Sequence, residues 1–422
     1  MLRFACLFLS FGLVACSLDL SAVPAPDASR WRPDTARRDA GAPPDAGDGG
    51  AVPDAPGSDA STCTWTYTPV RFDPCDGTTP APTESLTLDA AGTWVYNTDE
   101  GTLTAPDGSD TTPTSSDLAD ARAIWVVDFE VGADATLRLE GSRPLLVAAS
   151  GGISVAGTID ASSHYGGGDY QRGAGADPAA CPASPPEPGE TCSNHGGSGG
   201  GGGGFGAAGG QGGEGGNGHS CSGDGIPGGL GGEALPAAPS VLRGGCGGRD
   251  GGASTEGAGQ GPGGPGGGAV HLTARGSLTV SGTVHAGGAG GRGANDDRSG
   301  GGGGGSGGMI GLEAADLRIQ DTAFVVANGG GGGGGVDHGV AEPGEDGRAD
   351  GAVAPGGAHE ASGTDGGAGG WRDAPNGVSA DPAERGGGGG GGGVGFILLH
   401  SPGTPRIDTG ATLSPAQAPS AL

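Results

Sequence analysis

The sequence predicts an all-β protein: a short right-handed parallel β-helix, or solenoid, with a small β cap at its N-terminal end and long glycine-rich excursions leaving one corner. Three observations predict it. Residues 270–286 repeat residues 145–161, with Ala149, Gly151, Val155, Gly157, Thr158 and Ala161 recurring as Ala274, Gly276, Val280, Gly282, Thr283 and Ala286. Outside the glycine tracts, apolar residues fall in short period-two clusters, the alternation of a strand with one buried face. Finally, 103 of the 422 residues are Gly and only 4% are aromatic, so any core must be narrow and repeated.

At the N-terminus, Arg3 precedes an apolar run from Phe4 to Val14. The run is too short to span a bilayer and fits the h-region of a secretory leader over residues 1–15. Leu13-Val14-Ala15-Cys16 resembles the bacterial lipobox, a resemblance that implies lipidation of Cys16 and anchoring in a membrane. Ser17 after it implies sorting to the outer membrane. Residues 16–62 then hold the lipidated Cys and a Pro/Ala/Asp tether, with Pro-Asp-Ala recurring at Pro26, Pro44 and Pro53. With almost nothing to bury, it is expected to be disordered and to reach on the order of 150 Å.

Residues 63–120, with Trp65, Tyr67, Leu86, Leu88, Trp94 and Tyr96 in short alternating runs, read as a disulfide-stapled β cap. Residues 121–161 hold the first coils, with inward sets Phe129 and Val131, Leu137 and Leu139, Leu145, Val147 and Ala149, Ile153 and Val155, then Ile159 and Ala161. Glycine-rich residues 162–268 form an excursion, and residues 269–327 bring back the coil pattern around a glycine-rich insert. The second of these coils runs through Ile310, Leu312, Ala314, Leu317 and Ile319. Residues 328–393 are another excursion, and residues 394–422 a last coil and tail carrying Val394, Phe396, Leu398, Ile407 and Leu413.

Each excursion leaves after the third strand of a coil and returns at the first strand of the next, which places every tract at one corner. Two states compete for the glycine runs at 199–204, 300–305, 329–335 and 386–393: flexible coil, or a polyproline-II-like polyglycine-II form hydrogen-bonded sideways, which only Gly permits at such close approach. Order is expected near the coil junctions and mobility at acidic tips such as residues 342–350.

The formal charge of −28, with Arg supplying every basic residue, disfavours nucleic acid and anionic surfaces as partners. Six cysteines remain beyond the leader: Cys63, Cys75, Cys181, Cys192, Cys221 and Cys246. In an exported chain they read as disulfides, and loop-closure entropy favours neighbour pairing: Cys63 with Cys75, Cys181 with Cys192, Cys221 with Cys246. Cys192, His195, His219 and Cys221 can be written as a zinc site, but the spacing matches no paired knuckle, so no metal ligands are assigned. Calcium is the one cofactor the acidic glycine loops invite, at Gly287 to Gly291 with Asn295, Asp296 and Asp297, and diffuse cation association fits better than a specific site. No catalytic residues are assigned either. The glycines around Ser198 form no strand-to-helix elbow, His271 and His285 take outward, solvated positions, and Glu140, Asp160 and Glu313 fall on different coils and corners.

Taken together, the lipobox, the Pro-Asp-Ala tether, the Trp65-x-Tyr67 and Phe72-Asp73-Pro74-Cys75 segment, and the Ile153 to Ala161 coil with its glycine excursions resemble the glycine-rich surface lipoproteins of high-GC predatory Gram-negative bacteria. The resemblance implies a lipid-anchored outer-membrane protein exposed on the cell surface, with a structural or adhesive role toward a surface glycan or protein. The competing expectation is a carbohydrate-active β-helix enzyme, a polysaccharide lyase or hydrolase, which would need clustered carboxylates in one groove.

Overall fold

A computed structural model describes the backbone of residues 6–8 and 14–16, and in full residues 64–77, 79–179, 181, 185–191, 196–216, 225–254 and 259–418. The expectations for the leader, Cys16, the tether, Cys63, Cys192, His195, His219 and Cys221 therefore concern side chains outside the described residues. The chain divides into two units, Met1–Ser61 and Thr62–Leu422. In the first, Cys6–Phe8 pairs antiparallel with Val14–Cys16. The second is all-β, and no helix occurs among the described residues.

Three parallel ladders run through the second unit. One joins Ala121–Val126, Leu145–Ala149, Ala269–Val280, Met309–Ile319 and Phe396–His400 in that spatial order. Another joins Leu86–Leu88, Phe129–Val131, Ile153–Val155, the second halves of the same two long strands, and Arg406–Ile407. The third joins Gly92–Asn97, Ala135–Glu140, Thr158–Asp160, Thr283–His285, Phe324–Val326 and Thr412–Ser414. Because Ala269–Val280 and Met309–Ile319 belong to two ladders, the first two form one ten-stranded sheet facing an eight-stranded one.

The sequence repeat is a hydrogen-bonding register. Ala149 lies beside Ala274, Val155 beside Val280 and Thr158 beside Thr283. Identical residues thus stack on themselves, and each inward row buries one shape against its like, as in Ile124, Val147, Leu272, Leu312 and Leu399. These rows merge into a single core cluster. Each fully buried aliphatic side chain in it is worth about 1.5–3 kcal/mol.

At the N-terminal end the expected cap supplies the first layer of the ladders, Leu86–Leu88 and Gly92–Asn97, before the chain closes that end with antiparallel strands at Thr102–Thr104, Asp110–Thr111 and Ser115–Leu118. At the other end the alternation is shifted by one residue from the sequence reading. Ile397 and Leu399 face the main core, whereas Phe396 and Leu398 face outward into a second cluster with Phe205, Leu242 and Met309.

Candidate functional site

The exits of the three excursions lie side by side on the strands ending near Asp160, His285 and Val326, and their returns side by side at Ala269, Met309 and Phe396. Neighbouring backbones thus start parallel, and they keep hydrogen-bonding as they project. The tract at 300–305 gives the clearest case. Gly301 and Gly304 donate to Gly387 and Gly390, Gly302 and Gly305 to Arg292 and Ala289, and Gly300 and Gly303 to Gly252 and Arg249. The carbonyls of the same residues accept, in the same three-residue period, from Gly200 and Gly203, from Gly333 and Gly330, and from Gly261 and Gly264.

One glycine segment is therefore surrounded by six others. The tracts at 199–204, 329–335 and 386–393 are enclosed in the same manner, and all four are buried. Glycine is obligatory here for a steric reason. A Cβ on Gly303 would meet the carbonyl oxygen of Gly201 at 2.1 Å, and one on Gly389 the carbonyl oxygen of Gly302 at 2.0 Å. Within residues 342–350, Gly344 donates to Gly291 and Gly347 to Gly288, while residues 348–350 are exposed.

Segments on the outside of the bundle have amide groups with no inner neighbour, and side chains or prolines deal with many of them. Gly263 donates to the Asp250 carboxylate at 2.8 Å and Gly266 to that of Asp177 at 2.9 Å. Directly before each of them, Pro262 and Pro265 have no N–H at all. Ala208 and Gln211 donate to the side chains of Asn376 and Ser379, and Gly290 to Asp346. Burial pushes Asp177 and Asp346 up from the usual carboxylate range against these stabilising bonds. Asp177 and Asp250 share a groove with Arg172, Arg249 and the prolines 185, 186 and 188. A single groove thus holds two carboxylates, but each is committed to a backbone amide.

That groove also contains the disulfide between Cys181 and Cys246, with Cα atoms 5.8 Å apart. This corrects the neighbour pairing of Cys181 with Cys192 and of Cys221 with Cys246. The longer loop costs only roughly 1.5 kcal/mol more in closure entropy, because that cost grows logarithmically. Folding of the bundle, which brings the two residues together, outweighs it. Both sulfurs are consumed, so neither is available as a thiolate ligand. Cys75 is also disulfide-bonded.

No group of three or more His, Cys, Asp or Glu placed to hold an ion occurs among the described residues. The glycines 287–291 serve as a bundle segment, with Gly288 donating to Asn328 and Gly291 to Gly331. Asp296 accepts from the Asp297 amide, and Asp297 faces His338.

The expectation of solvated histidines fails. His271 and His285 are 2% and 9% exposed. Both point away from the main core as alternation requires, but each is covered from outside. His285 lies under the bundle, with Nε2 2.9 Å from the Gly347 carbonyl oxygen. His271 lies under residues 64–72, which cross the outer face of the sheet. There the Glu313 carboxylate, wholly buried, is 3.1 Å from His271 Nε2, within reach of the Thr273 hydroxyl, and accepts the Val70 amide. His400, in register with Glu313, faces it at 3.8 Å.

The covering segment is held by Tyr67 donating to the Ala274 carbonyl and by edge-on packing of Trp65, Phe72 and Trp125. Burial, reinforced by Glu313, raises the Tyr67 pKa, and burial lowers that of His271 despite Glu313. An Nε2–H tautomer of His271 donates to the Glu313 carboxylate. Gly311 makes room for its ring: a Cβ there would sit 2.0 Å from Nδ1. Glu140 and Asp160, read as separate, share one guanidinium, since Arg138 lies 3.5 Å from the first and 3.2 Å from the second.

No known family, curated protein or solved structure matches the chain.

Proposed function

We propose that the chain is a lipid-anchored cell-surface protein with a structural or adhesive role. In this reading a short right-handed parallel β-helix carries a bundle of polyglycine-II helices, and the bundle is the interaction face. The three ladders, repeated in sequence order, support the β-helix, and right-handed crossover is the rule for parallel strands joined in one sheet. A three-residue hydrogen-bond period supports the polyglycine-II form, which has three residues per turn.

The single observation that carries the functional reading is the six-fold enclosure of residues 300–305. Backbone alone builds a rigid body that projects from one corner, with no side-chain chemistry in its interior. The commitment of Asp177 and Asp250 to backbone amides argues against their use as an acid–base pair in a carbohydrate-active enzyme. The lipobox at residues 13–16 and the Pro-Asp-Ala tether support outer-membrane anchoring through Cys16. Replacement Cys16→Ala is expected to release the protein from the membrane fraction, and retention there would contradict the anchor.

The adhesive role is tested by applying residues 62–422, as soluble protein, to surface glycans and surface proteins while monitoring glycan hydrolysis. Binding without product is the expected result. Product release would replace this reading with an enzymatic one, and inertness in both assays would contradict the adhesive role.

A further inference from the structure

The bundle closes many edges of its outer segments, and at one groove an edge is left open. A segment with three residues per turn aims its amide groups in three directions. In residues 363–370 two of these are used. Gly363, Gly366 and Gly369 donate to Glu360, Gly357 and Ala354, while Thr364, Gly367 and Gly370 donate to Gly386, Gly389 and Gly392. The remaining direction belongs to Asp365 and Ala368. Among the described residues their amides have no partner, and both line a groove of about 330 Å³ walled by His359 and by residues 378–381.

At several outer positions elsewhere the protein removes or caps the donor, with proline at 262, 265, 343 and 355, or with the side chains of Asp177, Asp250, Asp346, Asn376 and Ser379. The carbonyls of Gly363, Gly366 and Gly369 are likewise unpaired among the described residues.

We infer that this groove binds an extended polypeptide in polyproline-II geometry, added to the bundle as one more helix. The inference rests on the adhesive reading above and gives it a partner class. Two amides three residues apart match two carbonyls one turn apart on such a strand, which is how Gly301 and Gly304 engage Gly387 and Gly390. Gly at every third position lets the partner come as close as segments do inside the bundle, where a Cβ on Gly303 would meet backbone at 2.1 Å. Proline elsewhere fits, since the groove offers donors and needs acceptors. Asp365 and Asp381 line it, and the chain carries −28, so the partner is neutral or basic and is not a second copy.

The test is titration of the full-length protein with a twelve-residue peptide of Gly-Pro-Arg repeats, against a peptide of the same composition in block order. The periodic peptide is expected to bind at least about tenfold more tightly, and the Ala368→Pro variant to lose at least about tenfold in affinity for it, a factor worth roughly 1.4 kcal/mol. Proline already occupies comparable outward positions, which favours a folded variant. Should that variant unfold, amide hydrogen exchange of the unaltered protein decides: Asp365 and Ala368 gain protection when the periodic peptide is added. Equal binding of the two peptides, no binding, undiminished affinity in the folded variant, or no gain in protection would each overturn the inference. Glycan or protein binding that persists when the peptide fails would leave the adhesive reading standing and remove only this partner.

Discussion

A Cβ on Gly303 would come within 2.1 Å of the carbonyl oxygen of Gly201, a residue of another excursion. The contact is with backbone, which cannot swing aside as a side chain can. Replacement Gly303→Ala is therefore expected to cost at least about 3 kcal/mol, the upper end of ordinary overpacking, whereas Gly403→Ala, with nothing within 4 Å, changes stability little. Denaturant unfolding of the two variants checks this. Similar midpoints would mean that the tract does not pack as described.

Cys181 and Cys246 are joined across the bundle. Peptide mapping under non-reducing conditions is expected to recover that pair, and the double replacement by Ser to cost about 2–5 kcal/mol. Recovery of Cys181 with Cys192 would restore the local pairing that loop entropy alone favours.

Burial holds His271 and His285 below the ordinary histidine range. The unfolded chain, titrating near about 6.5, binds these protons before the folded one does. Stability is thus complete above that value and falls as the pH drops through it toward the lower folded pKa values. Unfolding midpoints at about pH 7.5 and about pH 5.5 should differ in this direction. His271→Gln, which keeps a donor for Glu313, should narrow the gap. A gap unchanged in the variant would show that His271 does not contribute.

The ladders were legible because side chains mark them. The register of residues 145–161 against 270–286 is written in repeated identities, and the structure places those residues side by side. Legibility failed where the marks run out. Phe396, Ile397, Leu398 and Leu399 are all apolar, so alternation cannot tell which pair faces the core, and the large Phe396 was the wrong choice. His271 was correctly placed outward, but its cover comes from residues 64–72, more than a hundred residues away, which strand periodicity does not encode.

The glycine tracts carry no side-chain pattern, so order and coil looked alike in them. Their neighbours did carry a signal. Gly209 to Gly216 reads Gly-Gly-Gln-Gly-Gly-Glu-Gly-Gly, and Pro262 and Pro265 are three apart, a period that no strand or flexible linker requires. The exposed positions of Gln211 and Glu214 follow it. Asp177 and Asp250 could not be recognised as caps from sequence, because the amides they serve lie 89 and 13 residues away.

The central claim is that glycine backbone, enclosed on six sides, forms a rigid body. Amide hydrogen exchange across residues 300–305 tests it most directly. Protection comparable to that of the core strand at Leu272 is the predicted result, and exchange at the rate of an unstructured chain would contradict it.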